Sequence, residues 1–159
     1  MHAALKGRAA FNYAFNTFSD TVYRVALHNS LNTHDAEDAV QDVFIKLIEN
    51  DMSFKDAGHL KAWLIRATIN RCRDIMRKEK RFAELDESIP APEAPGNEII
   101  ELVKNLPVNY RNAIYLHYYE GYTAAEIGKI LDAKTNTVLS WLARGREMLK
   151  AETGDFDDE

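Results

Sequence analysis

The sequence predicts an all-α protein made of two small helical domains, which an acidic, proline-containing linker joins. Apolar residues recur at helical spacing along most of the 159 residues, and the alternation typical of strands is nearly absent. Residues 82–96 hold three of the four prolines and no basic residue, which favours an extended connection. We therefore expect domains at 1–81 and 97–150, separated by a linker at 82–96 and followed by an acidic tail at 151–159.

The composition is that of a globular protein without a membrane segment. Its hydrophobic content of 46% argues against wholesale disorder. No apolar run approaches the ~20 residues that cross a bilayer, and no signal-peptide pattern is evident. The single cysteine, Cys72, cannot form an intramolecular disulfide. These features predict a cytoplasmic protein with no membrane insertion.

The first domain begins with two predicted helices, at roughly 8–29 and 33–50. Asp35, Glu37 and Asp38 crowd the first turn of the second helix, where the positive end of the helix dipole favours anions. Residues 51–59 are expected to form a loop. The helical spacing predicts these packing residues: Phe11, Phe15, Phe18, Val22, Val25 and Ala26 in the first helix, and Ala36, Ala39, Val40, Val43, Phe44, Leu47 and Ile48 in the second.

Positive charge is concentrated on the third predicted helix. The chain has a net charge of −5, yet residues 61–81 hold eight Lys or Arg and only two acids. At about 100° per residue, two apolar stripes fall on roughly opposite sides of this helix, with a polar strip between them. The strip consists of Arg66, Asn70, Arg73 and Arg77, and Trp63 borders it.

Side chains of this kind are suited to nucleic acid. Arginine pairs with phosphates, asparagine can bond a base edge, and tryptophan offers a flat face to an unstacked base. The alternative is a solvated basic face beside a tryptophan that belongs to the core. Cys72 lies on an apolar stripe, and no neighbouring motif would activate its thiol, so we expect a packing role.

The second domain is expected to hold four helices, at roughly 97–105, 108–120, 124–131 and 134–150. Thr123 and Glu126 predict a capping box, and a tight break at Asp132-Ala133 gives the last two helices the layout of a helix-turn-helix. A helical hairpin that serves only for packing is the alternative, and Trp141 is expected to pack. The polar face that would enter a major groove consists of Asn136, Thr137, Ser140 and Arg144.

Three segments in this order resemble the small extracytoplasmic-function (ECF) sigma factors of RNA polymerase. They are "DAEDAVQDVF" (35–44), "KAWLIRATINRCRDIMR" (61–77), and "LPVNYRNAIYLHYYEGYTAAEIGKIL" followed by "NTVLSWLARGREMLK". The resemblance implies a sigma region 2 bundle and a sigma region 4 helix-turn-helix. It also implies a non-catalytic protein that needs no cofactor or metal and directs the polymerase to promoters.

The resemblance also implies partners and contact residues. Asp38, Gln41 and Asp42 match positions that dock on the β′ clamp coiled coil of the polymerase core, and the β subunit is expected to be a further part of that interface. Promoter DNA at the −10 element would lie against Trp63, Arg66, Asn70, Arg73 and Arg77, with Phe54 near an extruded base. The −35 element would contact Asn136, Thr137, Ser140 and Arg144. An anti-sigma factor is an expected regulator.

The chain departs from the family pattern around the helix-turn-helix. Leu139 and Trp141 stand where basic residues are usual, which implies weaker anchoring to phosphates. Gly128 and Gly145 replace small alanines, and Asp132 replaces a common turn glycine.

Two other classes of function fit the sequence less well. An ordinary helix-turn-helix repressor or activator would use residues 123–150 but would leave the acidic 38–42 surface and the basic helix without a role. An enzyme is disfavoured because the five histidines form no metal-binding motif and no glycine-rich phosphate loop is present. His34 with Asp35 and Glu37 is expected to be a helix start rather than a metal site.

Overall fold

The computed structural model describes residues 4–85, 102–103 and 105–153. The chain separates into two compact units, Met1–Glu93 and Ala94–Glu159. Residues 86–96 of the expected linker, most of the expected helix at 97–105 and residues 154–159 of the tail lie outside the described residues. The boundaries between the expected domains, linker and tail therefore stay predictions.

Within residues 4–85, the first unit contains three helices: α1 (Gly7–His28), α2 (Thr33–Glu49) and α3 (Ala57–Leu85). The expected bounds of the first two were accurate to one residue. α3 continues four residues into the expected linker, because the first proline of that segment comes only at position 90.

A two-stranded sheet joins the start of the chain to the segment before α3. β1 (Leu5–Lys6) pairs antiparallel with β2 (Ser53–Phe54), and Leu5 lies opposite Phe54. The expectation of a loop at 51–59 was therefore wrong in part, since this segment contains β2 and the first turn of α3. Strands of two residues are too short to show an alternating pattern, so periodicity could not reveal them.

α3 buries one wide face against α1 and α2. Leu60 and Leu64 of one apolar stripe and Ile65 and Cys72 of the other are fully buried, as the helical spacing predicted. The stripes are not separate: Thr68 lies between them on the side away from the polar strip, is itself buried, and donates its hydroxyl hydrogen to the Leu64 carbonyl at 2.6 Å. The polar strip lies on the opposite side of the helix and is open to solvent. Arg71 is exposed as well, although the helical wheel places it between Leu60 and Leu64.

Two predicted packing residues lie on the surface instead. Phe15 is 55% exposed and Ile48 is 49% exposed. Ile45, which also belongs to α2, is 48% exposed. Helical spacing places these residues on the apolar stripes of α1 and α2. The stripes extend beyond the surface that the three helices bury against one another.

The start of α2 is anchored by a buried carboxyl group. The Asn32 side chain caps the helix by accepting the Asp35 backbone N–H at 2.8 Å, and Asp35 is only 5% exposed. Glu79 of α3 shares a hydrogen bond with Asp35. That bond, together with burial and the charge of Asp35, raises the pKa of Glu79 from 4.5 to about 7, although His34 lowers it in part.

The second unit contains α4 (Val108–Ile114), a π-helical turn at Tyr115–Tyr119, α5 (Ala124–Leu131) and α6 (Thr135–Thr153). The helix expected at 108–120 thus changes to π geometry halfway along, and α6 includes the first three residues of the expected tail. The predicted capping box is confirmed, since Thr123 and Glu126 bond each other's backbone N–H at 3.2 and 3.0 Å.

The turn between α5 and α6 explains two departures from the family pattern. Asp132 adopts left-handed geometry (φ 56°, ψ 53°), which aspartate tolerates better than most residues. The turn brings the Ala133 carbonyl oxygen so close to Gly128 that a Cβ there would lie 2.5 Å from it. Glycine at 128 is therefore required by this turn. A Cβ at Gly145 would lie 2.9 Å from Cγ1 of Ile114, which reflects close packing of α6 on α4.

Gly128→Ala should destabilise the second unit by about 1–3 kcal/mol, because the new methyl group meets backbone rather than a movable side chain. Thermal or urea unfolding of the full chain measures this. Gly58→Ala is the matched control, since its Cβ would meet only Asp56 Oδ1 at 3.4 Å. Equal unfolding midpoints for the two variants would contradict the close approach of the Ala133 carbonyl oxygen to residue 128.

Stability should fall as the pH rises from about 5 to about 8. The unfolded chain releases the Glu79 proton near the ordinary value of 4.5, whereas the folded chain holds it until about pH 7. Between these values the folded state binds more protons, so raising the pH favours unfolding.

Glu79→Gln keeps a hydrogen-bond donor but removes the titration. We expect its melting temperature to change less with pH than that of the wild type, and to exceed it at about pH 8. Glu37→Gln, at an exposed acid of α2, serves as the control and should keep the wild-type slope. If the melting temperature of Glu79→Gln changed with pH as steeply as that of the wild type, the Asp35–Glu79 pair would not be the cause of the pH dependence.

Candidate nucleic-acid and partner interfaces

The open side of α3 carries a continuous row of polar groups, which we call the cationic ribbon: Arg66, Asn70, Arg73 and Arg77. The three arginines are exposed and Asn70 is half-buried. Arg73 donates to Asn70 Oδ1 at 3.1 Å, so the amide oxygen is turned along the ribbon. The expected alignment of these four residues on one face is confirmed by their burial, and their contact with DNA stays a prediction.

Aromatic packing fixes the start of the ribbon. The Phe54 and Trp63 rings meet edge to face with centroids 5.7 Å apart. Phe54 is 1% exposed and belongs to the core of the first unit, whereas Trp63 is half-buried. The ring of Phe54 is covered by its own unit and supports the neighbouring side chains, and its place near an extruded base stays a prediction.

The connection that leads into α3 is held by reciprocal capping. Asp56 Oδ1 accepts the His59 backbone N–H at 2.8 Å, and His59 Nδ1 accepts the Lys55 backbone N–H at 3.0 Å. The exposed His59 ring also meets Phe54 edge to face at 5.3 Å. Sequence reasoning passed over His59. The signal was available, since Asp and His three residues apart fit a cap and residue 59 lies two turns before Arg66.

The three predicted docking residues lie on the outer face of α2. Gln41 is exposed, and Asp38 lies 3.5 Å from His34 Nε2. Asp42 Oδ2 accepts a hydrogen bond from Arg71 Nε of α3 at 2.7 Å, and both side chains are about two-fifths exposed. Sequence reasoning missed this ion pair because it joins residues 29 positions apart.

An open apolar groove lies beside this acidic face. It runs between α1 and α2, has a volume of about 670 Å³, and includes Gln41 in its wall. The surface residues that were expected to be core, Phe15 and Ile48, lie in it. The other apolar residues of the wall are Phe11, Tyr23, Val40, Phe44 and Ile45.

In the second unit, α6 presents a polar face opposite its packed one. Val138, Leu142, Gly145 and Leu149 are buried, while the four predicted −35 contacts are all exposed. Trp141 is half-buried, in line with the packing role expected for it, and Leu139 is 49% exposed. The exposed contacts are Asn136, Thr137, Ser140 and Arg144.

The described ranges hold neither a metal cluster nor a membrane span. Within residues 4–85 and 102–153, apart from the undescribed position 104, no group of three or more His, Cys, Asp or Glu is arranged to hold a metal ion. No helix in that same part of the chain is long and apolar enough to cross a membrane.

Family models match both units. Residues 14–82 match sigma-70 region 2, and residues 96–149 match sigma-70 region 4. The chain therefore belongs to the sigma-70 family of RNA polymerase sigma factors, and its relatives place it in the ECF type. Members of this family are non-enzymatic factors of transcription initiation.

The similar proteins are ECF sigma factors. The chain is 32% identical to SigE of Mycolicibacterium smegmatis over an alignment of 147 positions, which covers 83% of this chain and 57% of that relative. It is 29% identical to SigW of Bacillus subtilis over an alignment of 169 positions, which covers 92% of this chain and 90% of SigW. The chain thus spans little more than half of one relative and most of the other.

Solved structures share the fold. The sigma factor RpoE of Bartonella quintana, in complex with the anti-sigma factor NepR, matches with a TM-score of 0.73 at 22% identity, covering 89% of this chain and 94% of the other. CnrH in complex with the cytosolic domain of CnrY matches with a TM-score of 0.64 at 22% identity, covering 92% and 88%. The predicted fold class, two helical sigma domains, is confirmed.

Phe54→Ala should lower the free energy of unfolding by about 3–5 kcal/mol, because it leaves a cavity under Trp63 and His59. Phe15→Ala removes an equal ring from the surface and should cost about 1 kcal/mol or less. Denaturant unfolding of both variants measures the difference. Similar losses in the two would mean that Phe54 is not the packing residue described.

Proposed function

We propose that the chain binds core RNA polymerase and directs it to promoters by contacting the −10 and −35 elements and assisting strand opening. The observation that carries this proposal is the division of charge within the first unit, where α2 exposes carboxylates and α3 exposes the cationic ribbon. One face suits a basic protein partner and the other suits nucleic acid. A lone helix-turn-helix regulator has no use for either.

Core docking is assigned to Asp38, Gln41 and Asp42 on the β′ clamp coiled coil, with the β subunit completing the interface. Two carboxylates and an amide on one helical face can pair with arginines of a partner helix. The adjoining groove offers the partner apolar contacts next to these polar ones. The Arg71 bond to Asp42 can be exchanged for a partner arginine at little cost, because both side chains are partly exposed.

Contact with the opened −10 element is assigned to the cationic ribbon and Trp63. Unstacking a base costs a few kcal/mol, which contacts to the backbone and to extruded bases must offset. The arginines supply charge for phosphates, and the half-buried Trp63 supplies an aromatic edge that Phe54 supports from below. The −35 element is assigned to Asn136, Thr137, Ser140 and Arg144, which share the exposed face of α6.

Regulation by an anti-sigma factor is part of the proposal. The RpoE structure named above was solved in complex with the anti-sigma factor NepR. Two compact units joined by a proline-containing segment can be rearranged at low cost, so one partner can cover both. The cytoplasm is the proposed location, since the polymerase core acts there.

Asp38→Lys and Asp42→Lys should each weaken binding to reconstituted core enzyme by about tenfold or more, because each places a cation where a carboxylate is needed. Asp51→Lys makes the same charge change at an exposed site outside α2 and is the control. Binding is measured by titration of labelled protein with core, and activity by specific initiation on a promoter library.

Arg71→Ala separates docking from internal packing. It breaks the same ion pair as Asp42→Lys but leaves the carboxylate, so core affinity should stay within about fivefold of the wild type. If Arg71→Ala weakened core binding as much as Asp42→Lys, the role of Asp42 would be to hold α2 and α3 together and not to contact the core enzyme. If neither carboxylate variant changed core binding or start-site choice, the docking assignment would fail.

A further inference from the structure

His59 continues the cationic ribbon toward the N-terminus of α3. It precedes Arg66 by seven residues, which is close to two helical turns, so both project from the same side of the helix. Its ring is exposed, as is Arg66. The row therefore begins with an imidazole and not with a guanidinium group, and this first member stands next to Trp63.

The His59 ring is held in place before any ligand arrives. Its Nδ1 accepts the Lys55 N–H, its own backbone N–H is bound by Asp56, and Phe54 supports the ring at 5.3 Å. Phe54 is in turn fixed by the β1–β2 pairing. An exposed side chain with this many restraints loses little rotamer freedom when it binds, and such preorganisation favours selective contacts.

The hydrogen bond to Lys55 also sets the tautomer. Because Nδ1 accepts a hydrogen bond, the neutral ring carries its proton on Nε2, on the other edge. That edge is a single directed donor. Bases offer matching acceptors, such as N7 of a purine, O6 of guanine or O4 of thymine. The arginines further along suit phosphates, which carry no sequence information by themselves.

We propose that His59 is a base-contacting residue that sets specificity at the −10 element, with its Nε2–H donating to an acceptor on one exposed base. This inference rests on the function proposed above. It assigns sequence reading to the imidazole at the start of the row, and strand holding to the arginines. It also explains why Phe54 is buried where it is, because the ring supports the residue that reads the base.

Two amide variants separate the reading role from the capping role. In His59→Asn the side-chain oxygen takes the place of Nδ1 and can still accept the Lys55 N–H, but the outward donor is lost. In His59→Gln the longer amide restores a donor near the Nε2 position. Asp51→Ala, at an exposed site in the same connection, is the control. Each variant is assayed with core enzyme on a library randomised at the −10 element, beside core affinity and melting temperature.

We expect the wild type to favour one base at one −10 position by about tenfold, His59→Asn to reduce this preference to about twofold, and His59→Gln to restore part of it. Core affinity, melting temperature and preferences at the other positions should not change in His59→Asn. Full discrimination in His59→Asn, or an equal loss of initiation on every promoter, would overturn the proposal and leave His59 as a cap. Absence of core binding and specific initiation in the wild type would instead overturn the proposed function itself.

Discussion

The first unit depends on the wide buried face of α3. Leucines, isoleucines, Thr68 and Cys72 bury a wide face of this helix against α1 and α2, and the opposite side stays open. Arg66, Arg73 and Arg77 stand on that open side. Burial of the apolar surface supplies the stability, while the charged groups remain hydrated and cost little. The same helix therefore serves as a core element and as a display surface for cations.

Much of this arrangement is determined by local spacing and could be predicted from it. The bounds of α1 and α2, both stripes of α3, the capping box at Thr123 and the left-handed turn at Asp132 all follow from periodicity or from the chemistry of a few neighbouring residues. The alignment of the cationic ribbon also follows from a helical wheel. The division into two domains came from the composition of the linker, and their assignment as sigma regions 2 and 4 came from resemblance. The family matches confirm the two sigma domains.

What could not be predicted depends on contacts between distant residues. The β1–β2 pair joins residues about 50 positions apart and contains the buried Phe54, so the burial of this ring could not be predicted from its neighbours in the sequence. The Arg71–Asp42 pair and the Asp35–Glu79 pair likewise join different helices. Phe15 and Ile48 were predicted to be core residues because their spacing matches the apolar stripe. Spacing does not show whether a neighbouring helix covers a side chain or leaves it in an open groove.

The split of α3 into a covered side and an open side has a consequence for how such proteins diversify. Side chains at 66, 73 and 77 lie outside the core, so substitutions there cost little stability and can be selected for new regulatory targets. Those at 60, 64, 65 and 72 are fully enclosed and tolerate little change. Insertion of a single residue between the two groups would turn one relative to the other by about 100°. Paralogues built on this frame should therefore differ by substitution along the helix, and should accept changes in length only in the segments that flank it.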